Sequence, residues 1–202
     1  MELYEFDRAL HIPALCGVDE AGRGPLAGPV CAAAVILPAD RDIAGVKDSK
    51  KLSAKKREQL YDEIIAGAVA YGIAFASVEE IDTMNILNAT MLAMRRAVKQ
   101  LTVQPDHILV DGNKVPEWPW PSQYLIGGDG LSACVAAASI LAKVTRDRLM
   151  MKMDEQYPQY GFQKHKGYGT KAHYMALDEF GPSPVHRKTF LRKWSVGHEC
   201  PR

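Results

Sequence analysis

The chain has 202 residues, 47% hydrophobic and 24% charged, with a formal net charge of +1. That length and apolar share suit one domain with its own core and leave little room for a second. A balance so close to neutral excludes a chain that holds nucleic acid by overall charge; such affinity would have to come from local basic patches.

Met1 to Leu10 carries acids and lacks the basic-then-apolar order of a secretion signal. Ala14 to Val18 and Gly28 to Leu37 are apolar runs. They predict two buried strands joined by the glycine-rich turn Ala21–Ala27. Ser53 predicts an N-cap for a helix over Ala54–Ala68. Tyr71 to Val78 alternates like a third strand, and Asn85 to Leu101 has helical spacing. Pro105 breaks the chain before a short strand at His107–Val110, and the proline- and tryptophan-rich stretch Val115–Pro121 reads as a loop. Tyr124–Ile126 is a fifth strand candidate. A long helix follows over Ser132 to Tyr157, its small-residue start at Ala136–Ala138 allowing close packing on a sheet. Thr170 opens another helix that should end near Gly181-Pro182.

Helical segments separate the later strands, whereas the first two adjoin. This pattern predicts an α/β fold: a mixed sheet covered by helices, with an antiparallel opening hairpin and a helical segment after the sheet. The whole of residues 1–202 is expected to be one domain, its core about 14–194, with a short polar tail at 195–202 expected to be disordered. The longest apolar runs are too short to span a bilayer. Cys16, Cys31, Cys134 and Cys200 form no C-x-x-C pair, which argues against zinc. Cys16 and Cys31 sit in apolar runs and read as small buried residues. Reduced thiols without a signal pattern point to the cytoplasm.

Asp111 and Asp129 each close a strand-like run beside glycine, and Asp19-Glu20 closes the first strand. Strand ends at one edge of an α/β sheet are where ligands tend to bind. Four carboxylates meeting there would repel one another unless cations neutralised them, and hard oxygen ligands favour Mg²⁺ or Mn²⁺. Two such ions, roughly 3.5–4 Å apart, suit hydrolysis of a phosphodiester. Taken singly, Asp111 and Asp129 read first as turn residues, because Asp-Gly is a common turn pair. Adjacent strand residues face opposite ways, so Asp19 and Glu20 could share a site only if the strand ends or twists at Glu20. Gly22 and Gly24 permit that.

Gly22-Arg23-Gly24-Pro25 would let backbone amides approach a sugar or phosphate, or is simply a tight turn. Asp48-Ser49-Lys50-Lys51-Leu52 precedes a helix, where lysines and the helix N-terminus could hold phosphate, or is a cap and a solvated basic face. Tyr168, between Gly167 and Gly169, suits stacking on a base or sugar, or is an interface residue. Basic residues flank this acidic centre: Arg41, Lys47, Lys50, Lys51, Lys55, Lys56 and Arg57 on one side, and Arg187, Lys188, Arg192 and Lys193 on the other.

Together these stretches resemble the bacterial ribonuclease HII family. Gly17-Val18-Asp19-Glu20-Ala21-Gly22-Arg23-Gly24-Pro25 looks like its opening signature. Asp48 to Leu52, Asn85-Ile86-Leu87 with Ala89-Thr90-Met91, Val110 to Asn113, Ala136 to Asp147, and His165-Lys166-Gly167-Tyr168 follow in family order. The resemblance runs from about Cys16 to Phe190. It implies a ribonuclease H-like five-stranded mixed sheet flanked by helices, with a C-terminal helical extension. It implies metal-assisted hydrolysis that leaves 3′-hydroxyl and 5′-phosphate ends, with Asp19, Glu20, Asp111 and Asp129 as metal-binding carboxylates. Gly22, Arg23, Gly24 and Tyr168 would read the 2′-hydroxyl that separates RNA from DNA, and Lys50, Lys51, Ser139 and Lys143 would contact phosphate. The implied partners are RNA–DNA hybrids and duplex DNA with embedded ribonucleotides; a monomer is expected. The sister family, ribonuclease HIII, usually carries an extra N-terminal domain, for which the residues before Ala14 leave no space.

One departure stands out: Gly127-Gly128-Asp129 replaces the family's usual Lys-Gly-Asp, removing a cation. It motivates an alternative reading, an inactive hybrid-binding protein, against which the retained carboxylates argue. A small-molecule phosphatase with the same metals would need a closed pocket.

Overall fold

A computed structural model describes residues 3–46 and 52–195. Five strands form one sheet in the order β3-β2-β1-β4-β5: β1 Leu15–Ala21, β2 Val30–Ile36, β3 Ala70–Ala76, β4 His107–Asp111 and β5 Ser122–Leu125. β1 pairs antiparallel with β2, and β2 with β3, giving the expected opening hairpin. β1, β4 and β5 run parallel, so their carboxyl ends lie along one edge of the sheet. The helices are α1 Leu3–Ala9, α2 Ala54–Gly67, α3 Val78–Lys99, α4 Ala133–Gln156, α5 Phe162–His165, α6 Lys171–Phe180 and α7 Arg192–Ser195. No helix among the described residues is long and apolar enough to cross a membrane.

Every residue of β2 is buried because helices cover both faces of the sheet. Period-two alternation divides the strand. Cys31, Ala33 and Val35 join the core beneath α4 and α2, with Leu60, Ile64, Ile140 and Leu141. Val30, Ala32, Ala34 and Ile36 join the core beneath α3, with Ile81, Met94 and Val98. Cys16 and Cys31 are buried, as their apolar settings predict. The small residues of β1 and α4 set the distance between these elements. A Cβ at Gly17 would lie 2.1 Å from the Cys134 carbonyl carbon, so helix and strand meet there backbone to backbone.

Helix ends follow sequence chemistry. Ser53, Ser132 and Thr170 cap α2, α4 and α6 by accepting backbone N–H groups, and α6 stops at Gly181. Three boundaries differ from expectation. β3 stops at Ala76, and α3 begins at Val78 rather than Asn85, because Ser77 and Glu80 form a reciprocal capping box. Asn85, at φ 70° and ψ 163°, kinks the helix and restarts it, its Oδ1 accepting the Asn88 N–H at 3.1 Å. β5 lies at Ser122–Leu125, slightly before the expected Tyr124–Ile126. The seven-residue α1 was not foreseen. It is anchored by tertiary bonds: the Cys134 N–H donates to Asp7 Oδ2 at 2.9 Å, and the Ile43 N–H donates to the Tyr4 hydroxyl at 2.9 Å. The polar tail expected to be disordered falls, beyond Ser195, outside the described residues.

Candidate active site

The strand ends place the acidic residues. Leu15 and Gly17 face α4, and two residues further on Asp19 faces it too, accepting a hydrogen bond from the Ser139 side chain. On β4, Leu109 lies in the same core and Asp111 continues that face. By alternation Glu20 belongs to the opposite face, with Cys16 and Val18. Yet Asp19, Glu20 and Asp111 line one cleft of about 320 Å³. The expected strand end at Glu20 is not the cause, for β1 continues to Ala21, paired with Cys31 of β2. What ends is the pairing of β1 with β4, whose last register is Val18↔Val110. Past that point the β4 side of β1 is open, and both carboxylates reach the notch.

Asp19 is 5% exposed. Its Oδ1 accepts the Glu20 N–H at 2.6 Å. Burial, then the charges of Glu20 and Asp111, hold its carboxyl well above the usual carboxylate range. Asp111 Oδ1 accepts the Gly128 N–H at 2.7 Å, tying β4 to the 3₁₀ turn Gly128–Gly130 that precedes α4. Asp129 sits in that turn, buried, next to the Gly128 that Asp111 holds, but is not among the residues lining the cleft. Among the described residues, no three His, Cys, Asp or Glu side chains are closed around one metal position. The donor set at the notch is nonetheless what a hard divalent cation takes: clustered carboxylate oxygens, one of them desolvated.

The cleft's other wall is basic and glycine-rich. Gly22, Arg23, Gly24, Ser139, Lys143 and Tyr168 all line it, as do Arg57, expected on a basic flank, and Arg146, to which the sequence reading gave no role of its own. Lys143 is paired with Asp147 at 2.8 Å, and Arg23 approaches Glu20 at 3.4 Å. Tyr168 is 46% exposed, and its ring lies 3.5 Å from where a Cβ at Gly24 would stand. The opposed Gly24 and Tyr168 thus come from distant segments. Gly22, at φ +99°, could carry no side chain, because a Cβ there would sit 2.0 Å from Arg146 Nε. Lys50 and Lys51 lie outside the described residues.

Two arginines hold this wall from behind. Arg146 donates to the carbonyls of Pro29, Lys166 and Ala27 at 3.0–3.1 Å. Arg187 donates to those of Gly28, Arg23 and Gly22 at 2.9, 2.9 and 2.6 Å. Arg187, expected on a basic flank, is 0% exposed, and burial together with Arg146 pushes its pKa down to about 9. It shapes the loop and offers no surface charge. Gly127, where a lysine was expected, is exposed at φ +67°, and a Cβ there would meet open space, so the missing side chain leaves no gap.

A family model described as Ribonuclease HII matches residues 16–194. The chain is 60% identical over 176 residues to the ribonuclease HII of Coxiella burnetii (strain Dugway 5J108-111), covering 87% of each protein. It is also 60% identical over 176 residues to that of Burkholderia thailandensis, covering 87% of this chain and 82% of the relative. Among solved structures, the ribonuclease H2 of Pyrococcus horikoshii superposes with a TM-score of 0.74 at 29% identity, over 91% of this chain and 97% of that one.

Proposed function

The chain belongs to the ribonuclease HII family, hydrolases of the RNA strand in RNA–DNA hybrids, and on that premise we propose that its cleft nicks duplex DNA on the 5′ side of a single embedded ribonucleotide. The observation that carries this reading is the meeting of Asp19, Glu20 and Asp111 with Gly24 and Tyr168 in one cleft. The carboxylates suit divalent-cation binding, and the glycine–tyrosine wall suits contact with one sugar. In the reaction, water adds to phosphorus, the bond to the upstream 3′-oxygen breaks, and that oxygen takes a proton. The products carry a 3′-hydroxyl and a 5′-phosphate.

Asp19, Glu20 and Asp111 would hold Mg²⁺ or Mn²⁺, with Asp129 as a fourth candidate from the turn that Asp111 grips. Bound there, the cation supplies Lewis-acid charge to a scissile phosphate. Ser139 orients Asp19 through its hydrogen bond. Lys143 and Arg23 lie within the cleft to meet phosphate, and Gly22 and Gly24 let the backbone come close to the 2′-hydroxyl. Against an inactive binding protein stand the clustered carboxylates, since a mere binder of phosphate has no use for gathered negative charge.

The direct test is a duplex with one ribonucleotide, incubated with purified chain and each ion in turn. A single 5′ nick is expected; intact duplex with folded protein and either ion refutes the proposal. Tyr168→Ala should lose about tenfold in kcat/KM on that duplex, the equivalent of one good contact, and less on long hybrids. Equal losses on both substrates would remove the sensing role.

Metal binding has its own readout. Buried like charges cost stability without a cation. Saturating Mn²⁺ should therefore raise the melting temperature by about 5 °C or more. Asp19→Asn should raise the melting temperature of the metal-free protein and flatten the response. A wild-type melting curve indifferent to both ions at millimolar concentration would count against the carboxylate cluster as their seat.

A further inference from the structure

Behind Tyr168 lies a cluster of histidines that the proposed chemistry leaves unused. His173 of α6 and His186 are both buried, and their Nε2 atoms stand 2.9 Å apart. His165 stacks on His173 with ring centroids at 4.5 Å. The partners at the outer ends of the pair fix where the protons sit. The Ser183 N–H can only donate, and it meets His186 Nδ1 at 3.0 Å, with the Ser183 hydroxyl, free to turn as a donor, at 2.8 Å from the same nitrogen. That nitrogen is therefore an acceptor, and neutral His186 carries its proton on Nε2. At the other end the Tyr168 carbonyl can only accept, and it meets His173 Nδ1 at 2.9 Å. Neutral His173 therefore carries its proton there, leaving Nε2 as an acceptor for His186. The Ser183 N–H at one end and the Tyr168 carbonyl at the other set the same direction.

We propose that Ser183, His186 and His173 form a one-way relay of neutral hydrogen bonds that positions Tyr168, and that the adjoining Arg187 positions Gly22 and Arg23, so that the segment Ser183–Arg187 holds both halves of the junction-reading wall in register. The inference rests on the reading of that wall given above. The segment is itself stitched to the glycine-rich loop: the Gly28 N–H donates to the Val185 carbonyl at 2.8 Å, and the Arg187 N–H donates to that of Leu26 at 2.8 Å. Ala27 and His186 also form an isolated bridge. Across the way, the Leu26 N–H donates to the Gly167 carbonyl at 2.8 Å, next to Tyr168. One short stretch thus touches the strand-end loop through Arg187 and reaches the tyrosine loop through His186 and, beyond it, His173.

An extra proton disrupts the relay. A second proton on His186 would face the Ser183 N–H and force the Ser183 hydroxyl to turn from donor to acceptor; on His173 it would point at the His186 N–H. Burial lowers the pKa of both, with His186 at about 4, in keeping with a pair that stays neutral beside the buried Arg187. His173 and His186 are positioning residues; neither lines the cleft.

Two measurements test this. In the full chain with ¹⁵N-labelled histidine, long-range nitrogen–proton correlation at neutral pH should find His186 protonated on Nε2 and His173 on Nδ1. An imidazolium at either position, or the opposite tautomers, overturns the relay. For function, His173→Phe keeps the ring and removes both polar contacts, whereas His173→Asn retains a donor near the Nδ1 position. The phenylalanine variant should lose about tenfold in its preference, by kcat/KM, for one embedded ribonucleotide over a long hybrid. Asparagine should restore most of it, whereas a merely structural role would lower both substrates alike. Tyr168→Ala runs in parallel. If it loses the preference and folded His173→Phe keeps it, the positioning role falls and the sensor stands. If Tyr168→Ala keeps the preference, the sensor reading falls and the tautomers alone decide the relay. Should His173→Phe fail to fold, the tautomers again decide.

Discussion

Asp111→Asn should bind an RNA–DNA hybrid and leave it uncut, with turnover reduced about a thousandfold or more. The variant suits the question because it removes charge and little else. Asp111 Oδ1 accepts the Gly128 N–H at 2.7 Å, and an amide oxygen can take the same bond, so the turn before α4 should hold. What goes is an anionic oxygen at the notch, the kind a hard cation selects. Losing that charge also eases the repulsion felt by buried Asp19, so stability should hold or rise. Substrate affinity should hold as well, because a carboxylate repels the phosphate beside it. Single-turnover cleavage with Mg²⁺ and Mn²⁺, together with a binding titration, separates the two effects. Near-normal cutting by Asp111→Asn would mean that the carboxylates do not act as one group.

The legible parts of this fold are those where one local pattern decides the outcome. The apolar run at Val30–Leu37 reads as a buried strand, Ser53 announced its helix as a cap, and Ser132 and Thr170 stood at helix starts where the structure shows capping side chains. The start of α3 was hidden because two signals overlap. Its capping box at Ser77 and Glu80 follows directly on β3, and the kink at Asn85 imitates a later beginning. The short α1 was invisible for another reason: so few residues form no stable helix alone, and its anchors, Cys134 and Ile43, are remote in sequence. At the site, the sequence marked Asp19, Glu20, Asp111 and Tyr168 and left open how adjacent Asp19 and Glu20 could converge. The answer depends on where β4 stops pairing, which no local pattern records. Arg187 is the sharpest divergence. A basic stretch reads as surface charge, but its guanidinium is satisfied by backbone carbonyls of a loop early in the chain. Carbonyl acceptors leave no trace in residue identity.

The largest loss of stability is expected from a single methyl group, in Gly17→Ala. A Cβ at this position would lie 2.1 Å from the Cys134 carbonyl carbon, 2.2 Å from the Val135 nitrogen and 2.4 Å from the Cys134 oxygen. All three are backbone atoms, so no rotamer change relieves the contact. The strand cannot withdraw, because β1 is paired on both sides, Gly17 facing Val35 of β2 and Leu109 of β4. The helix cannot easily lift, because its first turn is tied down by Asp7 and its length lies against the central core. Overpacking against rigid backbone should cost about 3 kcal/mol or more, or roughly 10 °C in melting temperature for a domain of this size. Gly130→Ala is the control: a Cβ there meets nothing within 4 Å, so it should stay within about 0.5 kcal/mol of wild type. The effect should reach the cleft as well, since α4 carries the Ser139 that holds Asp19 and the Lys143 beside it. Folded Gly17→Ala should therefore cut more slowly per molecule, whereas Gly130→Ala gives no such reason. If Gly17→Ala melted with the wild type, the close approach of β1 and α4 would not be what fixes the spacing between the strand-end carboxylates and the helix above them.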